Sequence, residues 1–70
     1  MYTITYRAAF SGKEKTRIVG DLTDHHRLAR ILGDMARGMP AERCERAADR
    51  LALHLWAPEH EGDFMAVKND

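Results

Sequence analysis

Four histidines and a single cysteine are the residues of this chain best suited to metal binding or nucleophilic chemistry. Two of them, His25 and His26, are adjacent within the stretch "LTDHHRLARIL". Successive residues of a helix point about 100° apart, so this pair cannot hold one ion as histidines at i and i+4 do. We interpret the two histidines as the solvent-facing first turn of a helix and not as a metal site.

Cys44 has no partner cysteine, and the sequence contains neither a C-x-x-C nor an H-E-x-x-H pattern. It falls in the apolar stripe of a helical pattern, and His54 on the same helix would point roughly 80° away from it. We therefore expect Cys44 to be a small buried side chain. The acidic run "PEHEGD" is typical of a solvated segment, and we predict no metal and no cofactor.

The sequence also lacks a recognisable catalytic arrangement. Ser11 and Cys44 are the candidate nucleophiles, and neither has an identifiable base or orienting group. The stretch "GDMARG" lacks the lysine and the spacing of a phosphate-binding loop. A chain of 70 residues is also short for enclosing a pocket of the size that enzymes use. We predict that the protein is not an enzyme.

Composition and charge restrict the class of protein further. Eleven basic residues balance eleven acidic ones, which weakens the case for nucleic-acid binding through phosphate neutralisation. The lone thiol and the lack of a signal-sequence pattern predict a cytoplasmic protein. No apolar run approaches the roughly 20 residues of a membrane-spanning helix, so no membrane association is expected. The length predicts a single domain over residues 1–70.

Alternation of apolar and polar residues predicts a β-hairpin at the N-terminus. In "YTITYRAAF" the even positions from Tyr2 to Phe10 share the apolar face. Gly12 supplies the turn, and the even positions from Thr16 to Leu22 are predicted to continue that face. A lone hairpin is unstable in water, so another element must cover it.

Two amphipathic helices are predicted to provide this cover. The first carries apolar residues at i, i+3, i+4 and i+7 from Leu28, with Thr23 or Asp24 as its cap. The second begins at Pro40 and is stopped by Pro58. The predicted elements are the hairpin (about 2–22), the two helices (about 24–37 and about 40–56) and a tail or third strand (58–70).

These elements predict the α+β class. The expected architecture is a small two-layer domain in which an N-terminal β-hairpin is packed by two amphipathic helices. Its element order is ββαα, or ββααβ if a short C-terminal strand forms within "DFMAVK". Residues 59–63 are predicted to form a loop.

Apolar and aromatic residues exceed what a domain of this size can bury, and the surplus predicts an exposed interaction patch. We predict a small non-enzymatic intracellular module that binds another protein and modulates or inhibits it. Phages and mobile elements encode proteins of this kind, for example inhibitors of bacterial immune complexes. Homodimerisation through an open sheet edge or the second helix is a separate hypothesis. The predicted partner-binding residues are the apolar Trp56, Phe64 and Met65 and the basic Arg7, Lys15 and Arg17.

Nucleic-acid binding is the alternative function. Thr3, Thr5, Arg7, Lys15 and Arg17 are predicted to line the polar face of the hairpin, which would suit a β-ribbon in a nucleic-acid groove. A helix-turn-helix is disfavoured, because the exposed side of the second helix alternates acidic and basic residues. The alternative protein is therefore a small regulator that uses the basic face of its hairpin.

Overall fold

The computed structural model describes residues 1–69, and Asp70, the last residue of the predicted tail, lies outside the described residues. Its elements are β1 (Tyr2–Ala8), β2 (Glu14–Val19), α1 (His25–Met35), α2 (Ala41–His54), β3 (Trp56–Glu59) and β4 (Gly62–Lys68). All neighbouring strands are antiparallel in one sheet of order β2-β1-β4-β3, and both helices pack on one of its faces. The predicted α+β class is confirmed, with four strands in place of two or three.

β1 and β2 form the predicted hairpin, but each side chain of β2 faces the side of the sheet opposite to the one predicted for it. The Ala8 N–H donates to the Lys13 carbonyl at 2.9 Å, which leaves an even number of residues in the turn. Even positions of β1 therefore lie opposite odd positions of β2. Val19 is buried as a result, and Ile18 projects from the opposite face. The prediction that Ile18 continues the apolar face of β1 is wrong for this reason.

α1 begins where the sequence predicts. The Asp24 carboxylate accepts a hydrogen bond from the Arg27 N–H at 3.2 Å, which satisfies one of the free donors of the first turn. The helix ends at Met35, slightly before the predicted boundary at residue 37. Leu28, Leu32 and Met35 point into the core along one stripe of this helix.

α2 ends before the predicted boundary at residue 56. Leu55 adopts a left-handed conformation with φ of 60°, and its N–H donates to the Leu51 carbonyl at 2.9 Å. This conformation reverses the chain at once, so Trp56 begins β3 and is not part of the helix. Proline is tolerated within β3 because the strand lies at the edge of the sheet.

The segment after α2 folds into a second hairpin. β3 pairs with β4, and β4 pairs with β1 at the centre of the sheet. The predicted loop over residues 59–63 is therefore too long, and only a turn at residues 60–61 separates the two strands. A Cβ atom at Gly62 would overlap the carbonyl oxygen of Arg7, and Gly62 also adopts a φ of 155°. Glycine is therefore required where β4 approaches β1 most closely.

One hydrophobic cluster joins the sheet to both helices. Ile4, Leu32, Leu51 and Phe64 are its largest completely buried side chains. Phe64 packs on the Tyr6 ring with 4.8 Å between ring centroids. The prediction that Phe64 belongs to an exposed patch is wrong, because the register of β4 turns this residue toward the helices.

Arg43 ties α2 to the turn of the second hairpin. Its guanidinium donates to Glu59 Oε1 at 3.1 Å and to Glu61 Oε2 at 2.6 Å. The Tyr6 hydroxyl donates to the Glu61 carbonyl at 2.9 Å, and burial, together with the Glu61 carboxylate, raises the pKa of this hydroxyl. The acidic run is thus fixed against a helix and a central strand instead of forming a solvated tail.

Candidate protein-binding surface

One face of the sheet has no helix against it. We call this surface the open face, and it consists of every second residue of the four strands. Its residues lie in three rows across the strands: Ile18, Thr3 and Val67; then Thr16, Thr5, Met65 and Trp56; then Glu14, Arg7, Asp63 and Pro58.

Four large apolar side chains occupy two of these rows. Ile18 is 62% exposed, Val67 58%, Met65 51% and Trp56 50%. Trp56 lies directly opposite Met65, while Val67 follows two residues after Met65 on the same strand and face. Exposed apolar groups that adjoin one another mark interaction sites more often than isolated ones do. We call these four residues the apolar patch.

The third row of the open face is charged. The Arg7 guanidinium donates twice to Glu14 Oε2, at 3.0 and 2.8 Å, and Asp63 lies opposite Arg7 on the other side. This row therefore contains one cation between two carboxylates. Its net charge is negative, and the only arginine is already paired with an acid. Such a row repels phosphate groups and favours a cationic side chain of a partner.

The predicted binding residues are distributed over three environments. Trp56 and Met65 lie together on the open face, with Arg7 in its charged row. Phe64 is in the core. Lys15 and Arg17 lie on the helix side of β2, because they pair with Tyr6 and Ile4. The basic hairpin face of the alternative hypothesis does not form a single surface.

Sequence reasoning grouped Val67 with Trp56, Phe64 and Met65 as apolar residues of the C-terminal end, but it missed Ile18 as a member of the apolar patch. "DFMAVK" alternates, but both of its alternate sets contain apolar residues, so the pattern alone does not show which set is buried. The even-length turn of the first hairpin would have identified Ile18, because it fixes the parity of the pairing.

Of the two adjacent histidines at the start of α1, His25 contacts α2 and His26 is exposed. His25 Nδ1 lies 2.8 Å from Asp49 Oδ1, which joins the start of α1 to α2, and the His26 ring meets the His25 ring edge-on at 5.6 Å. Within residues 1–69 no three histidine, cysteine, aspartate or glutamate side chains are grouped so that they could hold a metal ion.

Cys44 is buried in the helix-packing layer, as predicted. Its Sγ lies 3.8 Å from the Met39 carbonyl, and a Cβ at Gly33 would lie 3.5 Å from the same sulfur. This is an ordinary van der Waals distance, so the packing of α1 on α2 leaves room for an alanine at this position. Burial, followed by the Glu59 carboxylate, raises the pKa of the Cys44 thiol. A thiol with a raised pKa is a poor nucleophile at neutral pH.

Comparisons with family models, with curated proteins and with solved structures gave no significant match. In the described part of the chain, neither helix has the length and apolar character needed to cross a bilayer.

Proposed function

We propose that this protein is a small non-enzymatic module that binds another protein through the open face and inhibits it by covering a functional surface. The observation that carries the proposal is the apolar patch. Trp56 and Met65 are paired across β3 and β4 and remain half exposed on a face that no helix covers. Tryptophan and methionine are enriched at the cores of protein interfaces, where they supply large contact areas.

The charges of the open face favour a protein over a nucleic acid. Its charged row carries Glu14 and Asp63 against Arg7 alone. A nucleic acid would lose affinity from these carboxylates, whereas a protein that presents apolar side chains beside a lysine or arginine would complement both regions. The occupant we propose is therefore a partner protein with an apolar site flanked by cationic residues.

Steric blocking is the inhibitory mechanism that we propose, because it requires fewer functional groups of a small domain than catalysis does. It needs a rigid surface and no chemistry of its own, and the sheet holds the apolar patch in fixed positions through its hydrogen-bonded register. We further propose that the protein acts in the cytoplasm, where its single thiol would stay reduced, and that it belongs to the class of small inhibitors encoded by phages or mobile elements.

A second copy of the chain is the other occupant that this face could accept. Two apolar patches that packed together would form a sheet-on-sheet dimer. The experiment below separates this outcome, because a homodimer buries Trp56 without any other protein. Sedimentation of the purified protein gives its mass directly.

The test is an affinity capture of partners from source-cell lysate with three baits: the wild type, Trp56→Ala and the matched control Leu53→Ala. Leu53 is 77% exposed on α2 and lies outside the open face, so it controls for the loss of an exposed apolar group. We expect a protein that resists nuclease treatment, that the control retains, that Trp56→Ala loses, and whose activity falls when the wild type is added.

Three results would contradict the proposal. Capture that disappears with nuclease would indicate nucleic-acid binding. Capture that both variants retain equally would place the interface elsewhere. Recovery of the bait alone, with a sedimentation mass of two chains, would assign the apolar patch to a homodimer.

A further inference from the structure

The two edges of the sheet differ in their capacity to accept another strand. At the β3 edge, the Ala66 N–H donates to the Leu55 carbonyl at 2.9 Å. In an antiparallel pair, residues alternate between directing their backbone N–H and carbonyl groups toward the partner strand and away from it, and this bond fixes which residues of β3 do which. Trp56 and Pro58 therefore direct their backbone groups outward, and proline has no N–H to offer. This edge is four residues long, and of its two outward-facing residues only Trp56 has an N–H to donate, so it offers less to an added strand than the β2 edge does.

The β2 edge is open. The bond from the Ala8 N–H to the Lys13 carbonyl means that Lys15, Arg17 and Val19 direct their backbone groups toward β1. Glu14, Thr16 and Ile18 direct their N–H and carbonyl groups away from the sheet. Within residues 1–69 no strand pairs with this side of β2. The three outward N–H groups and three outward carbonyls of β2 therefore have the spacing needed to form hydrogen bonds with an added strand.

The side chains beside this edge are mainly cationic. Arg17 lies on the helix side of β2 and borders a groove of about 580 Å³ between β2 and α1. Arg27 and Arg30 of α1 line the same groove, against Asp24 and Asp34. Asp34 is 3.9 Å from the Arg17 guanidinium, a loose pairing at an exposed position.

Lys15 adds a further cation on the same side of β2, two residues before Arg17. A strand added to β2 would place alternate side chains next to Lys15 and Arg17 and over the groove. Carboxylates at those positions would complement the cationic side chains.

We propose that the β2 edge binds an extended acidic segment of a partner protein as a fifth strand, with carboxylates at alternate positions facing Lys15, Arg17 and the α1 arginines. The backbone of β2 supplies the hydrogen bonds, and the cationic groove selects the sequence. This inference does not depend on binding at the apolar patch, although one partner can occupy both surfaces.

A second copy of this chain fits the edge poorly. If Thr16 of β2 lay opposite Thr16 of the second copy, Lys15 would lie opposite Arg17 in both directions. Shifting this register by two residues either way places Lys15 opposite Lys15 or Arg17 opposite Arg17. Like charges directly opposite one another destabilise a strand pair, so these antiparallel self-pairings are disfavoured.

A nucleic acid also fits the edge less well than a peptide does. Its phosphates accept hydrogen bonds but donate none, so they cannot pair with the carbonyls of Glu14, Thr16 and Ile18. An acidic peptide strand offers alternating backbone donors and acceptors, so it can pair with the N–H groups and the carbonyls of this edge alike.

The test uses isotope-labelled protein and a synthetic peptide in which glutamate alternates with threonine, followed by nuclear magnetic resonance. A matched peptide has lysine in place of each glutamate. We expect the acidic peptide to shift the amide signals of Glu14, Thr16 and Ile18 and to slow their hydrogen exchange. The lysine peptide should leave them unchanged. No shift at millimolar acidic peptide would overturn the proposal.

Two variants separate backbone pairing from simple charge attraction. Thr16→Pro removes an outward donor without breaking a bond to β1, so it should abolish binding while the fold persists, and Thr16→Val should bind like the wild type. Lys15→Glu with Arg17→Glu should weaken binding about tenfold or more and reduce its salt dependence. Trp56→Ala should not affect this binding.

The contrary outcomes are equally specific. Unchanged binding by Thr16→Pro would mean that no strand is added. Amide shifts centred on Trp56 and Met65 would assign the peptide to the open face. A single-stranded oligonucleotide that outcompetes the acidic peptide and still binds Thr16→Pro would identify the groove as a nucleic-acid site.

Discussion

Trp56 lies directly opposite Met65 across the β3–β4 pair, and both side chains project from the face of the sheet that the helices leave uncovered. The same register turns Ala57 and Phe64, the next pair along, into the core. Adjacent residues of each strand therefore belong alternately to the surface that we propose for binding and to the hydrophobic core. This relationship predicts opposite consequences for neighbouring substitutions.

Phe64→Ala should unfold the protein or leave it marginally stable. The side chain is completely buried against Tyr6, and removing a buried phenylalanine costs about 3–5 kcal/mol, a large part of the stability of a small domain. Thermal unfolding followed by circular dichroism measures the loss. The control Met65→Ala should shift the midpoint far less, because its side chain is half exposed. Equal shifts for both variants would mean that the register of β4 is incorrect.

Gly62→Ala should destabilise the second hairpin. An added Cβ would overlap the Arg7 carbonyl oxygen, and the φ of 155° is itself unfavourable for alanine. Backbone strain of this kind costs on the order of 1–3 kcal/mol, to which the overlap adds. Urea unfolding gives the free energy, and Gly20→Ala is the control, since no atom lies within 4 Å of a Cβ there. A neutral result for Gly62→Ala would contradict the close approach of β4 to β1.

Cys44 should react slowly with thiol reagents in the folded protein. Burial raises the pKa of its thiol, so the folded state binds the proton more tightly than the unfolded state does. The stabilisation from the neutral thiol is complete below the pKa that this thiol has in the unfolded chain, and it decreases as the pH rises through the higher pKa of the folded state. Labelling rates with and without urea, compared at pH 7 and pH 9, provide the measurement. Rapid labelling of folded protein at pH 7 would contradict the burial of Cys44.

Arg43→Met should loosen the turn between β3 and β4. The substitution leaves the carboxylates of Glu59 and Glu61 next to each other without the guanidinium that joins them to α2. Faster amide hydrogen exchange in β3 and in the turn is the expected result. Arg50→Met on the outer side of the same helix is the matched control. Unchanged exchange in the Arg43 variant would show that the turn does not depend on this ion pair.

Sequence analysis predicted the first hairpin, a cap at Thr23 or Asp24 and both helices, because each depends on neighbouring residues. It failed where long-range pairing decides the structure. The burial of Phe64 depends on its pairing with Tyr6 across β1 and β4, which are separated by both helices along the chain. The left-handed conformation of Leu55 is unusual for a leucine, and without a glycine to mark it the start of β3 could not be predicted.

The candidate site was predicted only in part for the same reason. Trp56 and Met65 were identified from their apolar character, but their adjacency follows from the β3–β4 register. Lys15 and Arg17 were placed on the same face as Arg7, and the parity of the first turn separates them. Residue type indicated a binding protein, and strand pairing determines which residues share a surface.

The central claim is tested most directly by the affinity of a captured partner for the wild type, Met65→Glu and Leu53→Glu, measured by calorimetry at two temperatures. We predict a negative heat-capacity change for the wild type, since binding buries the apolar patch. Met65→Glu should weaken binding about thirtyfold, the loss of about 2 kcal/mol that defines a hot spot, and Leu53→Glu should bind nearly as well as the wild type. Equal affinities for all three proteins, or a greater loss for Leu53→Glu, would contradict the assignment of the open face as the binding surface.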